Sequence, residues 1–166
     1  MKYEVIDNLL EKEEFEFIKN LAMSPDIAWY WNKDINTAPG YNNNDNTSYF
    51  VHNLFNLNLD YVYSTHYKHF NLFWKKLDIK SLIRVKLNLY MRTDKLEEHN
   101  PHVDLPFEHK GCVFSFNTCD GYTKLQDGTK IESVANRALI FNAGKPHSST
   151  STTNVKARFN VNFNYF

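Results

Sequence analysis

The chain has 166 residues, with 19 basic and 19 acidic side chains and a formal net charge of zero. That length suits one domain with a sizeable core, and 42% hydrophobic with 16% aromatic residues excludes a disordered or linker-like polymer. Balanced charge argues against a surface built to grip a nucleic-acid backbone or an anionic membrane, so neither is an expected partner.

Cys112 and Cys119 are the only cysteines. They make no CxxC pair and no disulfide framework, so the expected compartment is a reducing cytoplasm, a host's if the source is viral. The opening MKYEVIDNLL has no apolar signal core, and no apolar run reaches the roughly 20 residues of a membrane helix. The 21 asparagines, with abundant Lys, Phe, Tyr and Ile, point to AT-rich coding DNA, cellular or viral.

Residues 11–22 place Phe15, Ile18, Leu21 and Ala22 at helical spacing with Glu in the first turn, which predicts a helix ending before Ser24-Pro25. Residues 33–48 are polar, with Pro39, Gly40 and a run of Asn, and are expected to form a long loop acting as a lid. Residues 60–77 carry Tyr61, Val62, His66, His69, Phe70, Phe73, Trp74 and Leu77 on one stripe, which predicts a second helix. Trp29, Tyr30, Trp31 and Trp74 are expected in the core, with a substrate groove as the other reading of Trp29–Trp31.

From residue 82 the period becomes two. Val85, Leu87, Leu89 and Met91 alternate with Lys86, Asn88, Tyr90 and Arg92; GCVFSFNT and VANRALIF are strand-like. At the end, Phe159, Val161, Phe163 and Tyr165 alternate with Arg158, Asn160, Asn162 and Asn164. The polar faces of these two strands are rich in Asn and Tyr rather than Lys and Glu, which reads as the lining of a polar cavity. Helices followed by short antiparallel strands predict a mainly β (α+β) fold, a sandwich or barrel buttressed by N-terminal helices. Residues 1–166 are expected to be a single domain, with 1–81 as helical buttress and lid loop and 82–166 as core.

His102-Val103-Asp104 follows Pro101, and proline biases its neighbours to extended backbone. Positions i and i+2 then face the same side, so an imidazole and a carboxylate converge. His147, 45 residues downstream just after VANRALIF, is the third candidate ligand. Two His and one carboxylate form the facial triad suited to non-haem Fe(II). Arg158, eleven residues later on a polar strand face, would reach the metal's side through a short hairpin. Its planar fork suits bidentate capture of a carboxylate. A triad plus a carboxylate clamp is the minimum equipment for 2-oxoglutarate. The same two His and one Asp also suit a zinc hydrolase, but no HExxH-like signal supplies its base. A non-catalytic jelly-roll module is the other alternative, and it leaves Arg158 unexplained.

These residues, together with Asn88-Leu89-Tyr90, the stretch Asn117–Thr123 and Asn136–Phe141, make residues 82–166 resemble the Fe(II)/2-oxoglutarate-dependent dioxygenases, in the prolyl-4-hydroxylase-like branch of phages and bacteria. The resemblance implies a double-stranded β-helix, or jelly roll. It implies His102, Asp104 and His147 as iron ligands and Arg158 as the clamp on the distal carboxylate, with Tyr90, Asn88 and Asn160 beside the cosubstrate. Fe(II), 2-oxoglutarate and dioxygen are the implied cofactors. The implied reaction is hydroxylation of an unactivated C–H bond of a peptide, protein or amino-acid substrate, with release of succinate and CO2. Many prolyl hydroxylases use Lys where this chain has Arg158, which loosens the link to proline. The nucleobase-directed branch carries a second Arg six residues after the first; Asn164 stands there, and that branch ranks lower.

The remaining candidates read as structural. His66 and His69 are expected to pack or face solvent, His99, His109 and His52 to be non-ligands, and Cys112 and Cys119 to be inert thiols. Asn117 is read as a structural amide or a cofactor neighbour, and Asp120-Gly121 and Asp127-Gly128 as turns.

Overall fold

The computed structural model describes residues 3–33, 48–57, 61–62 and 64–166. Apart from its two end residues, the expected lid at 33–48 lies outside the described residues.

The spine is an antiparallel pair, β5 (Leu82–Met91) and β11 (Ala157–Tyr165). Both follow the expected period of two. Val85, Leu87, Val161, Phe163 and Tyr165 are buried in the main apolar core. On the other face Arg84, Lys86, Asn88 and Tyr90 stand opposite Asn164, Asn162, Asn160 and Arg158 in register, four consecutive polar rungs. Further strands extend the spine on both sides into an eight-stranded antiparallel sheet. They are β6 (Lys110–Ser115), β9 (Arg137–Asn142) and β1 (Glu4–Ile6) beyond β11, and β3 (Tyr49–Asn56) and β2 (Tyr30–Asn32) beyond β5, with β4 (Tyr61–Val62) also on β3. The N-terminal part is therefore not only a helical buttress: it supplies β1–β4, of which β1, β2 and β4 are only two or three residues long and too short to show a period in sequence.

Helix α1 (Lys12–Ala22) covers the apolar face. A reciprocal Glu11/Glu14 capping box opens it, and Phe15, Ile18 and Ala22 face the sheet. Its Phe15 ring lies 6.1 Å from Phe114, and Phe73, from the second helix, lies 4.9 Å from Phe114 and 4.8 Å from Phe163, so aromatic rings join the helices to the sheet.

The second helix is shorter than its stripe predicts. Tyr61–Val62 pairs with Phe55 and Asn56 as β4. A 3₁₀ turn then runs Thr65–Asn71, capped by Ser64 Oγ accepting the His66 N–H at 3.2 Å, and leads into α2 (Leu72–Lys76). Sheet pairing takes the residues that local periodicity assigned to helix. Trp29 and Trp74 pack on the core as expected. Tyr30 and Trp31 do not: on β2, at the sheet edge, they are 64% and 63% exposed.

A smaller sheet lies over the polar face: β10 (His147–Ser148), β7 (Tyr122–Leu125) and β8 (Lys130–Glu132). Residues 97–102 run antiparallel along β10 and its continuation. His99 N–H donates to Ser149 O at 2.9 Å, and Ser151 N–H to Glu97 O at 3.0 Å. The two sheets make the jelly roll. The Leu125–Lys130 connection is the predicted turn, with Gly128 at φ +87°. Cys112 and Cys119 are free and buried. No helix among the described residues is long and apolar enough to cross a membrane.

Asp120 does more than turn the chain. Its carboxylate accepts from Thr152 Oγ1 (2.8 Å), Thr153 N–H (2.9 Å) and Thr153 Oγ1, pinning the segment that leads into Arg158. Partial burial raises its pKa, but the Thr153 and Thr152 hydrogen bonds more than offset this and hold it at about 2. The group therefore stabilises the fold fully above its unfolded value near 3.8 and loses that contribution as pH falls toward about 2. Asp120→Ala is expected to cost about 1–3 kcal/mol in denaturant unfolding at neutral pH and to flatten this acid limb.

Candidate metal centre and its cavity

His102 and His147 are fixed by each other's backbones. His102 N–H donates to His147 O, and His147 N–H to His102 O, both at 2.9 Å. The expected extended segment after Pro101 thus becomes a paired rung, with the two imidazole rings 4.4 Å apart. Asp104 N–H donates to Ala143 O at 3.0 Å, which returns its side chain to the same side as His102. Ligand atoms of His102, Asp104 and His147 all lie within 4.8 Å of one another, and His102 Nε2 is 3.9 Å from Asp104 Oδ1.

The donor set fits a divalent metal. His147 Nδ1 is 3.0 Å from Lys145 O, an acceptor, so Nδ1 carries the hydrogen and Nε2 keeps its lone pair. Burial, reinforced by His147, lowers the His102 pKa to about 3, so the ring is neutral and ready to ligate at physiological pH. Burial raises the Asp104 pKa, but Arg84, His147 and His102 reverse this and hold the carboxyl well below the ordinary range.

Arg84 and Asn164 hold that carboxylate, a role the sequence reading does not assign them. Arg84 Nη2 donates to Asp104 Oδ1 and Asn164 Nδ2 to Oδ2, both at 2.8 Å. Arg84 Nε donates to Asn164 Oδ1 at 2.9 Å, and His109 Nε2 lies 3.0 Å from Asn164 Nδ2. Each carboxylate oxygen retains a lone pair for a metal. Asn164 and Arg84 are register partners across the β5–β11 ladder, which brings both to the Asp104 carboxylate. Arg84→Ala is expected to weaken Mn(II) binding by about 10–100-fold in calorimetry, with Arg84→Lys intermediate.

Arg158 is 1% exposed. Nε donates to Ser133 Oγ at 2.6 Å, Nη1 to Thr150 O at 3.1 Å and Nη2 to Thr123 Oγ1 at 3.1 Å. One N–H on each Nη remains, and no carboxylate among the described residues pairs with the guanidinium. Burial lowers its pKa. Its central carbon sits 5.5 Å over the Tyr90 ring, which stacks on Tyr49 and on His99. Gly121 is required beside it: a Cβ there would fall 2.8 Å from Arg158 Cδ and 2.7 Å from Ser151 O.

The route from His147 to Arg158 differs from the expected short hairpin. β10 belongs to the small sheet and β11 to the large one, and residues 149–156 cross between them. Both still line one cavity of about 340 Å³, shared by His102, Asp104, His147, Tyr90, Arg158 and Asn160. Asn88 is fully buried and donates to Asn160 Oδ1 at 2.8 Å. Of the other histidines, His52 is buried with Nδ1 against Ala28 O, and His66 and His69 lie in the 3₁₀ turn. Asn117 is structural: it accepts from Phe159 N–H and donates to Ala157 O, both at 2.9 Å.

No protein-family model and no curated protein matches this sequence. Solved structures do. A prolyl hydroxylase from Trichoplax adhaerens, in complex with a hypoxia inducible factor peptide fragment, superposes with TM-score 0.68 at 13% identity, covering 99% of this chain and 83% of that one. A Pseudomonas putida prolyl-4-hydroxylase gives 0.68 at 10% identity, covering 98% and 91%. A 2OG-Fe(II) oxygenase family oxidoreductase from Burkholderia pseudomallei gives 0.64 at 11% identity, covering 98% and 84%. With two facing antiparallel sheets and a His-Asp-His cluster at the cavity between them, the chain has the jelly-roll fold of the 2-oxoglutarate- and Fe(II)-dependent oxygenases.

Proposed function

We propose that this single-domain protein is an Fe(II)- and 2-oxoglutarate-dependent dioxygenase that hydroxylates an unactivated C–H bond of a peptidyl or amino-acid substrate, releasing succinate and CO2. One observation carries the reading: a His-Asp-His cluster shares its cavity with a buried guanidinium that has two free N–H groups and no carboxylate partner among the described residues. A metal alone does not require that cation. A dicarboxylate cosubstrate anchored at the metal does, because burying its second carboxylate unpaired is costly.

His102, Asp104 and His147 would hold Fe(II). Arg158 would take the distal carboxylate, with Tyr90 walling it and Asn160, braced by Asn88, alongside. Bound iron with 2-oxoglutarate supplies activation of dioxygen. The chain's residues would fix the His147 tautomer and the Asp104 charge, hold the cosubstrate's orientation and exclude water from it. The three prolyl-hydroxylase and oxygenase neighbours act as precedents for the chemistry on this fold; Arg in place of Lys at the clamp keeps the substrate wider than proline.

The test is succinate release from 2-oxoglutarate that requires both Fe(II) and oxygen, with mass spectrometry for a product carrying one labelled oxygen atom. Absence of both, in protein that binds metal, overturns the reading.

A further inference from the structure

The cavity holds one more cation than the cosubstrate uses. Arg84 is engaged with Asp104, and Arg158 is assigned to the distal carboxylate. Lys86 also lines the cavity, and its hydrogen-bond partner is neutral: Nζ donates to Tyr49 Oη at 3.2 Å and lies 5.3 Å over that ring. No carboxylate among the described residues pairs with it. Burial, with Arg84 nearby, lowers its pKa to about 8, and Tyr90 and Asp104 offset only part of this.

Its neighbours add a second, independent sign. Lys86 sits between Asn162 on β11 and Asn53 on β3, its register partners on either side, and all three line the cavity. Asn162 Oδ1 is buried with no hydrogen-bond partner among the described residues. A buried acceptor without a partner beside a lysine fits a ligand that brings a donor once the amide turns toward it.

We propose that Asn53, Lys86 and Asn162 form the substrate subsite, with Lys86 binding a free carboxylate carried by the hydroxylated molecule and Asn162 Oδ1 accepting from its adjacent N–H. This rests on the oxygenase reading and narrows its substrate to an amino acid, an N-acyl amino acid or a chain end bearing a free α-carboxylate. One lysine between neutral amides matches a singly charged carboxylate, whereas a phosphate calls for more charge or a guanidinium fork. The cavity volume, about 340 Å³ for cosubstrate and substrate together, is at the small end for ligand sites.

The test uses full-length protein with Mn(II) and N-oxalylglycine, an unreactive 2-oxoglutarate mimic. Lys86 is pulse-acetylated with acetic anhydride and its modification quantified by mass spectrometry, with N-acetylglycine, N-acetylglycinamide or inorganic phosphate present at millimolar concentration. N-acetylglycine is expected to lower Lys86 acetylation at least about threefold, as mass action gives at twice its dissociation constant, while the amide gives no protection. Equal effects of acid and amide, no effect of either, or stronger protection by phosphate overturns the proposal. So does full protection by N-oxalylglycine alone, which would make Lys86 part of the cosubstrate site. Lys86→Met, which keeps the stem over Tyr49, is expected to retain the melting shift produced by Mn(II) with N-oxalylglycine; its loss likewise overturns the assignment. Failure of the oxygenase reading is read separately, as no such shift in the wild-type protein.

Discussion

Alanine at His102 or His147 is expected to abolish stoichiometric metal binding. These three residues would be the protein's whole hold on the metal; Lys145 O orients the His147 ring beforehand, and the reciprocal hydrogen bonds fix the backbones of both histidines. Nothing else within the cluster can replace a lost imidazole, since it contains only His102, Asp104 and His147 among the described residues. Removing one should therefore cost more than the roughly 10–100-fold typical of an outer-shell partner. His109→Ala is the comparison. His109 touches Asn164 and not the cluster, so its loss should weaken Mn(II) binding while leaving one ion per chain. Calorimetric titration with Mn(II) reads both, and the metal-free melting temperature checks folding. Full stoichiometry in His102→Ala would remove the triad assignment.

Arg158→Ala is expected to separate cosubstrate binding from metal binding. A ligand at about 100 times its dissociation constant adds roughly 2.7 kcal/mol, a melting shift of roughly 5–11 °C for a chain of this size. The wild-type protein should show this with Mn(II) and 2-oxoglutarate, or with N-oxalylglycine. Arg158→Ala should show little or none, while keeping the shift from Mn(II) alone. The truncation also strands Ser133 Oγ and Thr123 Oγ1 and opens a void, so Arg158→Lys is the second variant. It keeps the charge and much of the volume but replaces the fork with a point charge, and should recover the shift only in part. Equal shifts in wild type and both variants would place the distal carboxylate elsewhere.

Period and local chemistry were enough for several parts of this molecule. The alternations of β5 and β11 are a property of strands buried on both faces, one apolar and one polar, and their Asn- and Tyr-rich faces do line a cavity. The α1 stripe, the turn at Asp127-Gly128 and the i, i+2 convergence of His102 and Asp104 likewise follow from residues close in sequence. The jelly-roll fold and the pairing of His147 and Arg158 with that motif came from spacing and resemblance.

What tertiary structure decided lies in contacts between distant residues. Arg84 shares the two-residue period of Lys86, Asn88 and Tyr90, yet its role depends on Asp104 and Asn164, 20 and 80 positions away. The cradle of Arg158 draws Thr123 from β7 and Ser133 and Thr150 from the segments that follow β8 and β10, each an ordinary polar residue in its own segment. Helical periodicity across 60–77 lost its first residues to pairing with β3, and Tyr30 and Trp31, apolar enough for a core, were left on an edge strand. Local sequence sets which faces are apolar and which residues converge within a few positions. Which strand lies beside which, and so which cations meet which carboxylates across the cavity, is settled by burying both sheets' faces at once.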